Sequence, residues 1–138
     1  MNLRDHQRAA MAFSHIGEVK KRGETEDKFR KKYGSIAFKL PILIHSAGLA
    51  PALHFIAART HEGQREILKH LAIQLKAADL ITGDDAAALL KATREADFEK
   101  TRLLSREAQR VLLWYKRFTQ SELGVEPTED DRSAGEVV

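Results

Sequence analysis

Apolar residues in this chain recur at three- and four-residue steps from near its start to residue 118, and nowhere do they alternate with polar ones. A half-buried strand needs alternation, and an amphipathic helix needs a period of about 3.6 residues. The pattern therefore commits the chain to helices. Ala and Leu are abundant, and Gly, Pro and Thr fall at the joints between periodic runs.

A first helix is expected over Leu3–Arg22. Ala9, Ala12, Phe13, Ile16 and Val19 fall on its inner face, and Arg4, Arg8, His15 and Arg22 group on another side. Gly23 and Thr25 are the natural stop and restart. A second helix starts at Thr25 or Glu26 and runs towards Ser46, with Phe29, Tyr33, Ile36, Leu40, Leu43 and Ile44 inward and Phe38 and Ile42 opposite. A helix apolar on both sides is either buried centrally or docks a partner, and a small bundle needs a central helix. Pro41 lacks an N–H and is expected to kink or interrupt this element. Gly48 ends it, and Pro51 sits early in a third helix over Ala50–Arg59. A fourth covers Glu62–Leu80. Thr82-Gly83-Asp84-Asp85 has the pattern of a cap led by Thr82, opening a fifth helix from Asp84 to about Ala96. Ser105 is the expected N-cap of the last helix, with Glu107 in its first turn, and Gly124 ends it. The fold expected is all-α: a compact bundle of five to six helices forming a single helical domain over 1–123, with a flexible, disordered acidic C-terminal tail over 124–138.

Most enzyme chemistries lack their residues. The chain has no cysteine, which removes disulfides, thiolate metal sites and cysteine nucleophiles, and is consistent with a reducing, cytoplasmic setting. The polar start, with Arg4, Asp5, His6, Gln7 and Arg8, has no signal-peptide core, and no apolar run is long enough to span a bilayer. The histidines His6, His15, His45, His54, His61 and His70 never pair at a spacing of three or four, so no helix displays a two-histidine metal site. Phosphate-loop, dinucleotide and nucleophile-elbow glycine motifs are absent. Ser35 reads as a packing residue. Asp97 and Glu99 lie beside Lys100 and Arg102, where ion pairing explains them better than acid–base work. No catalytic residue, metal or cofactor is expected.

Charge is unevenly distributed. From Glu122 onward six acidic residues stand against Arg132 alone, a net of −5, so the preceding 121 residues carry +8. A basic body points to a polyanionic partner, and it is equally what a merely basic soluble domain would show. The last helix separates the two. Taking Arg106 as the origin, Arg117 falls at about 20° and Arg110 at about 40° around the helix. Arg102 falls at about 40° to the other side if the helix reaches back that far. Leu104, Ala108, Val111, Tyr115 and Phe118 cluster at about 160°. The arginines form a stripe roughly 18 Å long opposite the core, and each guanidinium offers paired donors to a phosphate. Leu113 sits within the stripe, and Trp114 at its side reads as a boundary core residue. A second basic cluster, Lys20, Lys21, Arg22, Lys28, Arg30, Lys31 and Lys32, is interrupted by Glu24, Glu26 and Asp27.

Two segments resemble a known family. Lys32-Tyr33-Gly34-Ser35, Lys39-Leu40-Pro41 and Gly48-Leu49, followed later by Arg106-Glu107-Ala108, Trp114 and Lys116-Arg117-Phe118, stand in the order and spacing of the small helical subunit of the Cmr complex, the type III-B CRISPR effector. That resemblance covers about Leu3 to Glu122. It implies a non-catalytic, RNA-binding subunit serving antiviral defence. Such a subunit stacks with further copies of itself as a filament, lies beside the backbone and large subunits, and helps hold target RNA on its guide RNA. Lys39, Arg106, Lys116 and Arg117 match basic positions of the family pattern and are the RNA-binding residues it implies; Arg110 joins them by the stripe geometry. Two other classes remain open. A protein-interaction scaffold without nucleic-acid contact would leave the stripe idle. A helical DNA-binding regulator would need base-reading side chains at the start of a recognition helix, whereas the helix after Gly83 opens on Asp84-Asp85-Ala86-Ala87-Ala88.

Overall fold

The structure, a computed structural model, describes residues 2–127. Six helices follow in order: α1 (Leu3–Gly23), α2 (Asp27–Ala47), α3 (Leu49–Ala57), α4 (Glu62–Ala77), α5 (Ala86–Glu95) and α6 (Phe98–Phe118), the last extended by a π-helical turn over Thr119–Leu123. The described residues contain no strand, so the all-α expectation stands. Most of the expected tail, from residue 128 onward, lies outside the described residues.

Helix α2 is the axis of the bundle and packs against α1, α3, α4 and α6. Its residues Tyr33 to Phe38 are all buried, with Phe29, Leu40 and Ile44 extending the buried face. Central burial is thus correct for Phe38, but Ile42 remains 69% exposed. Pro41 does not interrupt the helix. It forfeits one backbone hydrogen bond, while the buried turns on either side, carrying Ile36, Leu40 and Ile44, hold the helix together by packing. The Pro41 carbonyl accepts a hydrogen bond from the Gln109 side chain at 2.9 Å.

Several helix ends differ from expectation because short polar residues compete for the same role. Asp85 caps α5, accepting from the Ala88 amide at 2.8 Å, in place of Thr82. Asp97 caps α6, accepting from the Lys100 amide at 2.8 Å. Ser105 consequently lies inside α6, and Glu107 is two turns from its start rather than in the first turn. His61 caps α4 through Nδ1, which accepts from Gly63 N at 2.9 Å. Gly124 ends the chain's helical part in the left-handed region (φ 65°), as glycine permits. The packed body continues to Val125, which is fully buried; a Cβ on Gly34 would lie 2.6 Å from the Val125 side chain, so this close approach requires glycine.

Two polar systems are built into the apolar core. In the first, Glu107 is buried and accepts a two-pronged hydrogen bond from Arg8, with Nε at 2.7 Å and the terminal nitrogen at 2.8 Å, while Arg4 donates to the same carboxylate at 2.9 Å. Burial alone would raise the Glu107 carboxyl; the hydrogen bond and charge of Arg8, with Arg4, outweigh it and hold Glu107 below its ordinary value. Arg4 and Arg8, grouped by sequence on a basic side of α1, are therefore structural. In the second, the rings of His15 and His70 stack 4.3 Å apart. Gln74 donates to the Tyr115 hydroxyl at 3.2 Å, Tyr115 bonds His15 Nδ1 at 2.6 Å, and Tyr33 bonds His70 Nδ1 at 2.8 Å. Burial first, then the neighbouring His15 and Lys69, depress the His70 pKa to about 3.

Two consequences are measurable. Replacing Glu107 with Ala leaves Arg8 charged and buried with only its 3.3 Å contact to Asp5, which should cost about 3 kcal/mol in urea denaturation; a loss below about 1 kcal/mol would mean the pair does not hold α1 to α6. The second concerns pH. Unfolded His70 binds a proton below about pH 6.5 and folded His70 does not until about pH 3, so stability is full above 6.5 and falls as pH drops through that window. Between pH 6.5 and 5 this one group removes about 2 kcal/mol, and His15, also depressed by burial, adds to the slope. His70→Asn, which keeps an acceptor for Tyr33, should flatten that segment of the stability–pH curve; an unchanged slope would contradict the assignment.

Candidate nucleic-acid interface

The rotation of α6 about its axis decides which side chains reach solvent. Leu104, Ala108, Val111, Leu112 and Tyr115 are fully buried, and Glu107 points between α1 and α6 to Arg8. On one flank Gln109 bonds to Pro41 of α2; on the other the Trp114 indole N–H donates to Asp5 of α1 at 3.1 Å. Helix α6 is thus clamped on both sides, and its remaining sector is open. Arg102, Leu103, Arg106, Arg110, Leu113, Lys116 and Arg117 are all exposed or half-exposed there.

The structure brings Arg106, Arg110 and Arg117 together along one line, within about 40° of each other around the helix. Arg106, Arg110 and Lys116 form no ion pair or hydrogen bond with any described residue. The Arg117 guanidinium lies 5.1 Å from the centre of the Trp114 ring, a cation–π contact. Lys116 flanks the line at about 80°, on the α2 side. Because α6 begins at Phe98, Glu99 falls on the same line and pairs with Arg102 at 3.9 Å, so the N-terminal end of the stripe is partly neutralised. Leu113, 44% exposed, interrupts the charges halfway.

Lys39 stands elsewhere. It is half-buried on α2 and borders an apolar recess of about 300 Å³ with Ile42, Leu43, Phe55 and Arg59, to which α6 contributes nothing. The basic cluster around the first loop is largely tied up. Arg22 bonds Glu26 and Glu62 and lies over the Phe29 ring at 3.9 Å. Arg30 bonds Asp27 at 2.9 Å and the Leu123 carbonyl, and Lys31 pairs with Asp27 at 3.4 Å. Lys28 and Lys32, with Arg59, His61 and Gln64, line a concavity of about 260 Å³ whose lining includes no carboxylate. Burial, then the charges of Lys28 and Lys32, lower the His61 pKa. No sequence signal joins Arg59 to Lys28 and Lys32, because the packing of α2 against α3 and α4 sets their proximity.

Among the described residues no group of three His, Asp or Glu side chains is placed to hold a metal ion, and no helix is long and apolar enough to cross a membrane. What the α6 face offers is an exposed row of guanidinium donors on a rigid support. Such a row suits phosphate contact without base selection.

Comparison with known proteins agrees with the fold. Residues 4–122 match the family described as CRISPR-associated protein (Cas_Cmr5). A Thermus thermophilus protein described as CRISPR system Cmr subunit Cmr5 is 34% identical over 121 residues, covering 88% of this chain and 96% of that one. The X-ray crystal structure of a CRISPR-associated Cmr5 family protein, also from Thermus thermophilus, superposes with a TM-score of 0.75 at 31% identity, covering 91% of this chain and 100% of that one. Sequence and three-dimensional structure, each over nearly the whole helical body, show that this chain belongs to the Cmr5 family of CRISPR-associated proteins.

Proposed function

We propose that this chain is the small, non-catalytic subunit of a cytoplasmic Cmr effector complex and lends a basic surface to the RNA held there. The observation that carries the reading is how the structure divides its arginines. Arg4, Arg8, Arg22 and Arg30 bond to carboxylates and build the fold, whereas Arg106, Arg110 and Arg117 stand in line on α6 with no carboxylate partner among the described residues. An exposed, single-sign row on a clamped helix can follow a phosphate backbone, and each contact releases counterions. Lys116 extends the row on its α2 flank. Lys39, on another face among apolar side chains, would meet a neighbouring subunit or a different RNA segment. Copies of the chain stacked end to end as a filament would align their rows into a longer track along guide and target RNA. A few phosphates per subunit are weak singly and strong together.

The scaffold reading predicts that these arginines are idle, and this is testable directly. Arg106→Glu, Arg110→Glu and Arg117→Glu together should leave the fold and assembly with the other subunits intact and reduce RNA retention sharply at near-physiological salt. Three lost contacts to a single strand lower the slope of log affinity against log salt by about 2. RNA retention and slope unchanged in the triple variant would leave the scaffold reading standing.

A further inference from the structure

The helical period of α1 places Phe13 inside the bundle, yet its ring is 53% exposed. It is also not isolated. It meets Phe118 edge-on with ring centres 5.3 Å apart, Phe118 stacks on Trp114 at 5.7 Å, and Trp114 carries the Arg117 guanidinium at 5.1 Å. A ladder of rings therefore runs from the arginine row of α6 across the α1–α6 seam and ends in an open aromatic face. Its Trp114 ring is fixed by the hydrogen bond to Asp5, and Asp5 is held in turn by Arg8 at 3.3 Å.

Gly17 lies one turn beyond Phe13, about 40° around α1. A Cβ at Gly17 would meet nothing within 4 Å, and its backbone does not occupy the positive-φ region. Glycine in an exposed helix interior lowers helix stability relative to alanine, and at Gly17 it leaves the surface beside Phe13 without a side chain. Ala10 on the other side of Phe13 is also small, and Lys20 and Lys21 follow on the same side of α1. Glu18 lies about 140° away from Phe13 around the helix.

We propose that Phe13 is a stacking platform for an unpaired nucleobase. Gly17 gives the base clearance against α1, and Arg117, Arg110 and Lys20 take the flanking phosphates. This deepens the RNA reading above and rests on it, specifying single-stranded rather than paired RNA. An exposed aromatic face flanked by Lys20 on α1 and by Arg117 on α6 fits a base on its backbone better than an apolar protein helix.

The test compares the full chain's affinity, by fluorescence anisotropy at low salt, for a single-stranded RNA oligomer and for an abasic oligomer of the same length. The expected result is tighter binding of the base-bearing oligomer. Phe13→Ala should weaken that binding about tenfold and leave the abasic oligomer unaffected, and Phe13→Trp should restore it. If Phe13→Ala changes neither affinity, or lowers both equally, while the triple arginine variant lowers both, the platform is overturned and the phosphate reading survives. If Phe13→Ala instead releases another subunit with RNA affinity unchanged, the site is a protein contact and the proposal is overturned. Loss on Phe13→Ala alone, with no effect of the arginine variant, supports the platform and overturns the phosphate row. No binding of either oligomer overturns both.

Discussion

One carboxylate sets the geometry on which the candidate interface depends. Glu107 reaches from the middle of α6 to Arg8 and Arg4 near the start of the chain, closing a contact between residues 99 positions apart. Both Arg8 and Glu107 are nearly buried, so the pair is costly to desolvate, and it persists because the guanidinium satisfies both carboxylate oxygens. Such a pair is directional in a way that apolar packing is not. With Glu107 turned inward, the helical period forces Arg106, Arg110 and Arg117 outward. The same pair orients Asp5, which fixes Trp114, which supports Arg117. Stability and binding surface are thus coupled through one polar contact.

Periodicity made the helices legible, along with the place of α2 at the centre and the arginine line of α6. It failed where tertiary context chooses between locally equivalent options. Ser105 and Asp97 are both good caps; the chain turns at Ala96, which is extended, so Asp97 takes the role and α6 gains two turns. Arg8 is buried where an arginine on a helix reads as surface, because its partner is remote in sequence. Its inward place displaces Phe13 outward, since Ala12, Ile16 and Val19 complete the buried sector of α1. Pro41 is tolerated because burial on both sides of it outweighs one lost hydrogen bond. The Lys28–Arg59 concavity had no local signal.

The electrostatic division is the most informative functional feature. A net positive body says little alone, since Lys and Arg are distributed over every helix but α3. The structure separates cations consumed in holding helices together from those left facing solvent, and on the face of α6 that no other helix covers three of the latter, Arg106, Arg110 and Arg117, stand in one line. The buried His15–His70–Tyr33–Tyr115 system is a structural core of neutral groups; desolvation keeps His70 uncharged and raises the tyrosine hydroxyls well out of reach of ionisation. Its histidines are the groups expected to couple stability to pH.

The most direct measurement is photo-cross-linking of RNA within the assembled effector complex containing this chain, followed by mass spectrometry of the cross-linked peptides. Cross-links concentrated between Arg106 and Arg117 of α6, with Phe13 on the adjoining face, are the predicted result. A complex that retains its RNA but yields cross-links only on other faces of this chain, or none on it, would contradict the assignment of α6 as the RNA-facing surface.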